Sequence, residues 1–378
     1  MTALPVLVLN CGSSSLKYSV YEMRAERVLC SGRIERIGEG GADGGPPDHR
    51  SALAQALAAV PDHDAIVAVG HRVVHGGEHF HAATLIDDAA LATLEQLDAL
   101  APLHNPANRL GIELAREQLP RRPQVAVFDT AFYHSLPAEA REYALPQAWR
   151  ERGIRRYGFH GTSHRQVSRE AASLLGKPLE ALDLVTLHLG NGSSATAIRG
   201  GVAIDTSMGM TPLEGLVMGT RAGDLDAGVL LYLLRAGVAS HELEHTLNHG
   251  CGLHGLCGSN DMRAVHALAD AGDADAGRAL AMYCYRVRKY IGAYLATLGR
   301  VDALVFTAGI GEHDARIRAR ILTGLEGFGI ALDAARNAAC HGTVGMAIHA
   351  ASSRVAVLVI PGNEELEIAR EVAALIAT

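Results

Sequence analysis

The sequence predicts an α/β protein of two domains built by duplication, and three observations carry that prediction. Short apolar runs alternate with helical stretches along the chain. At 378 residues the chain is longer than one hydrophobic core ordinarily organises. One strand–turn–strand pattern also occurs twice, close to half a chain apart.

The strand candidates are residues 6–9, 65–69, 125–128, 184–187, 303–306 and 355–360. Each is short and rich in Val, Leu, Ile, Ala or Phe, as a buried strand requires. Several end in Gly or a polar cluster, where α/β sheets place ligands. The first continues as Asn10-Cys11-Gly12-Ser13-Ser14-Ser15-Leu16-Lys17 and the fourth as His188-Leu189-Gly190-Asn191-Gly192-Ser193-Ser194. Two such turns, one per half, suggest two phosphate loops and a cleft between the halves. Residues 271–299 have apolar helical periodicity, with Arg286, Arg288 and Lys289 on another face, and predict a long buried helix. The Gly/Pro-rich stretch 38–47 predicts a flexible surface loop without chemistry.

Composition narrows the function. Hydrophobic residues at 48% and charged residues at 20% give a globular balance. A formal net charge of −7 gives no general attraction to nucleic acid or anionic lipid, so neither is expected as a partner. Six cysteines form no Cys-x-x-Cys pair, which suits reduced thiols in a cytoplasmic protein. No apolar run reaches membrane-spanning length and the N-terminus carries no basic leader, so a soluble, unprocessed chain is expected.

The chemistry-bearing motifs lie at the strand ends. The turn after residue 11 offers backbone N–H groups, three hydroxyls and Lys17, either as a phosphate cradle or as a plain turn. No G-x-x-x-x-G-K-[ST] occurs, so it is not a Walker loop. Asn10 is a neutral oxygen ligand suited to a metal already carrying phosphate charge. In His71-Arg72-Val73-Val74-His75-Gly76-Gly77-Glu78, the arginine suits bidentate capture of a carboxylate or phosphate. Histidines at 71, 75, 79 and 81 invite a zinc reading, but Gly76-Gly77 would break any helix through them. Asp129, after Phe128, could be a helix cap, a metal-shell ligand or a base; spacing alone favours the cap. In Tyr157-Gly158-Phe159-His160-Gly161-Thr162-Ser163-His164, His160 either donates to developing negative charge or is structural. Residues 209–224 supply a second Gly-flanked arginine, Arg221, and Thr307-Ala308-Gly309-Ile310-Gly311-Glu312 lets a nucleotide lie against backbone.

These blocks, in this order, strongly resemble the acetate kinase family, the acetate and propionate kinases of the sugar kinase/Hsp70/actin superfamily. The match runs from Asn10 to Asn363-Glu364-Glu365-Leu366. The resemblance implies an α/β, duplicated actin-like ATPase (ribonuclease H-like) fold. Residues 1–135 plus 366–378 would form the N-terminal domain, and 136–365 a C-terminal domain that binds nucleotide and dimerises. The implied reaction is reversible transfer of the γ-phosphoryl group of ATP to acetate, giving acetyl phosphate and ADP, in a homodimer. Magnesium is the implied metal, with manganese able to substitute.

Residue by residue, the resemblance implies Asn10 and Glu364 at the magnesium site. Arg72 and Arg221 would grip the carboxylate and the moving phosphoryl group, with Asp129 as catalytic acid and His160 as transition-state stabiliser. Val74, Leu103, Phe159 and Pro212 match the methyl pocket. Lys17, His188, Leu189, Gly190, Asn191, Gly192, Asp261, Met262, Arg263, Gly309, Ile310, Gly311, Glu312 and His313 match the nucleotide contacts. His313 stands where the family commonly has Asn, and Met210 where it commonly has Phe. A carboxylate substrate is already ionised near pH 7, so the task is to overcome repulsion between two anions and not to remove a proton. Direct in-line transfer is the simplest expectation. The alternatives are a propionate or butyrate kinase, and a non-catalytic nucleotide-binding module, which would need neither arginine nor a methyl pocket.

Overall fold

The computed structural model describes residues 4–39 and 44–377. The chain divides into two compact units, Met1–His134 with Asn363–Thr378, and Ser135–Gly362.

The first unit is built on a six-stranded mixed sheet: β1 (Pro5–Cys11), β2 (Ser15–Glu22), β3 (Arg27–Glu35), β4 (Ala68–Val73), β5 (Thr84–Leu85) and β6 (Gln124–Phe128). Its spatial order is β3-β2-β1-β4-β6-β5, with β1, β4 and β6 parallel. Both faces are covered, so β1 reads as an unbroken apolar run. Leu7 and Leu9 pack with Leu53, Leu114 and Ala115 of the helices His49–Ala59 and Asn105–Gln118. Val6 and Val8 face the other way, against Ile368, Ala369 and Val372 of the helix Glu364–Ile376. Gly70 makes that packing possible, since a Cβ there would lie 2.7 Å from Val372 and 2.9 Å from Ile368.

The second unit repeats the plan with β7 (Asp183–Leu189), β8 (Ser193–Arg199), β9 (Val202–Thr206), β10 (Ala303–Thr307), β11 (Met346–Ala347) and β12 (Ala356–Val359). The order is β11-β12-β10-β7-β8-β9, again with three parallel central strands. Read from the other edge, β9-β8-β7-β10-β12-β11 corresponds strand for strand to β3-β2-β1-β4-β6-β5. Two copies of one mixed sheet, each flanked by helices, are the duplicated α/β actin-like fold that the repeated turns anticipated. The helix Ala274–Leu298 buries Ala276, Leu280, Tyr283, Val287, Ile291 and Tyr294 along one face, in one core with Val185 and Leu187 of β7.

Several expectations shift. The run 65–69 is a strand only from Ala68, where pairing with Val6 begins, and it continues to Val73; His63–Ala65 is a 3-10 turn. The basic face of the long helix is partly engaged, because Arg286 donates to Gly215 O at 2.9 Å and Arg288 to Ile321 O at 2.9 Å. Within the expected loop 38–47, residues 40–43 lie outside the described residues, as do residues 1–3, on which the expected lack of a leader bears.

Candidate active site

In the first unit the three parallel strands end side by side. The registers Leu9↔His71 and Val73↔Phe128 carry Asn10, Arg72 and Asp129 to one edge of the sheet. Asp129 N donates to Val73 O at 3.0 Å, which continues the ladder. The Asp129 carboxylate, 1% exposed, accepts the Arg72 guanidinium as a fork, Nε to Oδ1 at 3.2 Å and Nη2 to Oδ2 at 2.7 Å. Asp129 thus pairs with an arginine, a partner that spacing along the chain did not indicate. The short turn Ala131–Tyr133 starts at Thr130 without a side-chain cap, and the carboxylate is committed to an arginine 57 residues earlier.

Glu364 lies 3.7 Å from Arg72 Nε. It opens the last helix, and the cap there is Asn363, whose Oδ1 accepts Leu366 N at 3.1 Å and the Tyr21 hydroxyl at 2.8 Å. The next residue, Glu365, holds Lys17 Nζ at 2.5 Å. Burial opposes the charge on Arg72, yet Asp129 and Glu364 outweigh it and raise the arginine pKa. Burial, aided by Asp129 and Glu365, pushes the Glu364 carboxyl above its ordinary range against the pull of Arg72 and Lys17. Three carboxylates thus crowd two cations.

The backbone beyond Arg72 is held by two asparagines on one face of the helix Asn105–Gln118. Val74 N donates to Asn108 Oδ1 and His75 N to Asn105 Oδ1, both at 3.1 Å, and Asn108 Nδ2 donates to Cys11 O at 2.7 Å. Leu103 stands half exposed just ahead of that helix. The histidines have separate surroundings: His71 bonds Gln124 at 2.8 Å, His75 Nδ1 accepts Gly77 N at 3.0 Å, and His81 stacks on His134. In the β1–β2 turn, Gly12 N donates to Ser15 O at 2.8 Å, leaving Ser13 and Ser14 exposed.

In the second unit His160 precedes the helix Gly161–Leu175 with φ of +58°, a left-handed conformation that costs a non-glycine residue energy. Its Nδ1 lies 2.9 Å from Ser194 Oγ, and its ring stacks on His188 with centroids 4.1 Å apart. Ser163 Oγ lies 2.8 Å from His188 Nδ1. The turn between β7 and β8 runs beside these rings. A Cβ at Gly192 would lie 3.4 Å from His160 Nε2 and 3.6 Å from Arg221 Nη2, so His160, Arg221 and this turn share one locality.

Arg221 differs from Arg72. It donates to Pro212 O at 3.0 Å, and among the described residues no carboxylate pairs with it. Burial alone holds its pKa below the ordinary arginine value. A desolvated guanidinium with one neutral partner is a ready receptor for an anion.

The remaining stretches gather at the same turn. Gly219 N donates to Asn191 O at 2.9 Å, and a Cβ on Gly219 would fall on Asn191 Oδ1. Asn260 Nδ2 reaches Asn191 Oδ1 at 3.3 Å, just before Asp261 caps the helix Met262–Asp270 and pairs with the exposed Arg263 at 2.7 Å. A Cβ on Gly190 would lie 3.7 Å from Ala308, the start of the short helix Ala308–His313. Glu312 ties that helix down, accepting Thr307 Oγ1 at 3.3 Å and Gly362 N at 2.9 Å. His313 is exposed, with Nδ1 2.8 Å from His341 O. Phe159 is buried at 2% and Pro212 half-buried.

Sequence reasoning assigned no role to Glu365, Asn105, Asn108, Ser194 or His164. The asparagines had a signal, two amides three residues apart on one helix face. Ser194 was marked only as the end of the Gly/Ser turn, with nothing in the sequence to tie it to His160.

A doubled actin-like sheet, glycine turns at the strand ends and an anion-seeking arginine beside a strained histidine define a phosphotransferase that handles anionic substrates. The model of the Acetokinase family matches residues 5–370, and the chain belongs to that family of ATP-dependent carboxylate kinases. It is 49% identical over 401 residues to an acetate kinase of Streptomyces coelicolor, covering 100% of this chain and 98% of that one. It is 51% identical over 381 residues to an acetate kinase of an Arthrobacter species, covering 98% of each. Among solved structures it is similar to an acetate kinase of Porphyromonas gingivalis, with TM-score 0.92 and 41% identity over 99% of this chain and 100% of that one. A propionate kinase of Francisella tularensis gives TM-score 0.90 and 40% identity over 97% and 98%.

Proposed function

We propose that the protein transfers the γ-phosphoryl group of ATP reversibly to acetate, in line and without a phospho-enzyme. The observation that carries this reading is Arg221, a partly buried guanidinium with no carboxylate partner among the described residues, beside His160 and the glycine turn. An ionised carboxylate needs no base, so Asp129 serves by holding Arg72 in a fixed fork and not by taking a proton. Arg72 orients the acceptor carboxylate. Arg221 and His160 donate to the phosphoryl oxygens, where charge develops during transfer. The 188–192 turn, with Lys17, Asp261 to Arg263 and Gly309 to His313, binds the nucleotide, and its glycines admit phosphate close to backbone.

The residues at the β1 and β4 ends fit a hard divalent cation. Asn10 and Glu364 are oxygen donors, and the burial that, with Asp129 and Glu365 beside it, raises the Glu364 pKa is a penalty such a cation relieves. When bound, Mg²⁺, or Mn²⁺ in its place, neutralises phosphate charge. Val74 and Leu103 in the first unit and Phe159 and Pro212 in the second are the residues proposed to select the methyl group.

The two units serve as the two domains, the second binding nucleotide and also dimerising. The helix Ala227–Arg235 supports a homodimer: it buries no residue, yet Val229, Leu231, Tyr232 and Leu234 are exposed. A cytoplasmic setting is supported by six free cysteines; among the described residues no helix is long and apolar enough to cross a membrane.

Propionate is the nearest rival, since a methylene in an apolar pocket is worth only about 1–3 kcal/mol. The curated relatives at 49% and 51% identity are acetate kinases, which supports acetate, whereas the solved acetate and propionate kinases are about equally similar at 41% and 40%. The test is kcat/KM for acetate, propionate and butyrate, together with ATP formation from ADP and acetyl phosphate. About a tenfold preference for propionate overturns the choice of acetate, and absence of ATP formation overturns the transfer itself.

A further inference from the structure

Behind His160 stand three fully buried side chains that the mechanism above leaves without a role, Thr186 on β7, Ser194 on β8 and His164 on the helix Gly161–Leu175. Thr186 and His188 lie on one face of β7. Their partners across the ladder, Thr196 and Ser194, lie on the same face of β8. His164 is one helical turn beyond His160, to whose carbonyl its N–H donates at 3.0 Å. The polar atoms form an unbroken chain. Thr186 Oγ1 is 2.6 Å from His164 Nδ1, His164 Nε2 is 2.8 Å from Ser194 Oγ, and Ser194 Oγ is 2.9 Å from His160 Nδ1.

With both imidazoles neutral and each hydroxyl proton given to a partner within the chain, this chain can run in two directions. A neutral imidazole has one N–H and one lone pair, and each hydroxyl has one proton to give. If Thr186 donated to Thr196 O, every bond would run the other way, and His160 would carry its proton on Nδ1 and a lone pair on Nε2. A lone pair there would repel phosphoryl oxygen. Thr186 reaches Thr196 O only at 3.5 Å, at the limit of hydrogen bonding, against 2.6 Å to His164. The short contact therefore takes the proton. His164 Nε2–H then donates to Ser194, and the Ser194 hydroxyl donates to His160 Nδ1. Burial, with His188 beside it, keeps His164 neutral, as this order requires.

We propose that Thr186, His164 and Ser194 are positioning residues, a hydrogen-bond relay that holds neutral His160 with its proton on Nε2, the edge beside Gly192 and Arg221. Its consequence for rate rests on the phosphoryl-transfer reading, but the tautomer itself does not.

The test is a long-range proton–nitrogen NMR spectrum of ¹⁵N-histidine-labelled protein at pH 7.5, with His160 assigned by its loss in His160→Gln. The expected wild-type pattern is a protonated Nε2 and an unprotonated Nδ1. Ser194→Ala removes the donor at Nδ1, and Thr186→Val, nearly isosteric, removes the proton that sets the direction. Each shifts His160 towards the other tautomer and lowers kcat by about 10-fold to 100-fold with KM for ATP and acetate within about threefold. Ser194→Thr and Thr186→Ser, which keep the hydroxyls, restore both readouts. A wild-type His160 protonated on Nδ1 overturns the relay, as does an unchanged tautomer with unchanged kcat in both hydroxyl-free variants. A wild-type enzyme that fails to transfer phosphoryl groups yet shows the stated tautomer overturns the transfer reading and leaves the relay standing.

Discussion

Replacing Arg221 with alanine separates chemistry from stability, because this arginine holds no buried carboxylate in place. Its hydrogen bond to Pro212 O contributes about 1 kcal/mol to folding, and removing a cation that burial disfavours offsets part of that. The net change in unfolding free energy is then within about 1 kcal/mol. A guanidinium clamping a transferring phosphoryl group is worth about 10³ to 10⁵ in kcat, or roughly 4–7 kcal/mol of barrier. Arg72→Ala is the contrast. It strands Asp129, 1% exposed, without its fork, at a stability cost of about 3–5 kcal/mol, in addition to the loss of rate. In a unit of this size that lowers the melting temperature by roughly 10 °C. The assay pairs initial rates of ADP release at saturating ATP, across acetate concentrations, with calorimetric melting of both variants. The reasoning fails if Arg221→Ala keeps more than about a tenth of wild-type kcat/KM, or if it melts as early as Arg72→Ala.

Two further outcomes follow from the geometry. Burial lowers the His71 pKa from 6.5 to about 4, with Gln124 opposing. Between those values the unfolded chain binds the proton and the folded chain does not, so stability falls as pH falls. The contribution lost by pH 4 is about 3 kcal/mol; urea titrations of wild type and His71→Gln should differ in pH slope by that amount, and parallel slopes would refute it. In Gly219→Ala the new methyl meets Asn191 Oδ1 and displaces the turn between β7 and β8. The KM for ATP should rise by about tenfold with that for acetate little changed, and an unaltered nucleotide KM would show that the turn does not carry the nucleotide.

The central strands were legible because strands covered on both faces are mostly apolar, as β1 and β10 are, while β7 keeps the apolar run Leu184–Val185 beside Thr186 and His188. The two hairpin turns were legible too, since glycines between apolar runs mark a reversal, and the shared sheet order made the repeat architectural. The start of β4 was not, because it is set by where β1 pairs and not by its own residues.

At the site, sequence marked Arg72 and Arg221 alike, each a cation among glycines. Only the tertiary structure separated them, by placing Asp129 and Glu364 against the first and no carboxylate, among the described residues, against the second. It likewise showed Asp129 as half of an ion pair, and joined His160, at a helix N-terminus, to Thr186 on β7 through Ser194 and His164. The reason is physical. Hydrophobic periodicity and turn chemistry act over a few residues and can be read along the chain, whereas charge state, tautomer and unpaired donors depend on neighbours that only folding supplies.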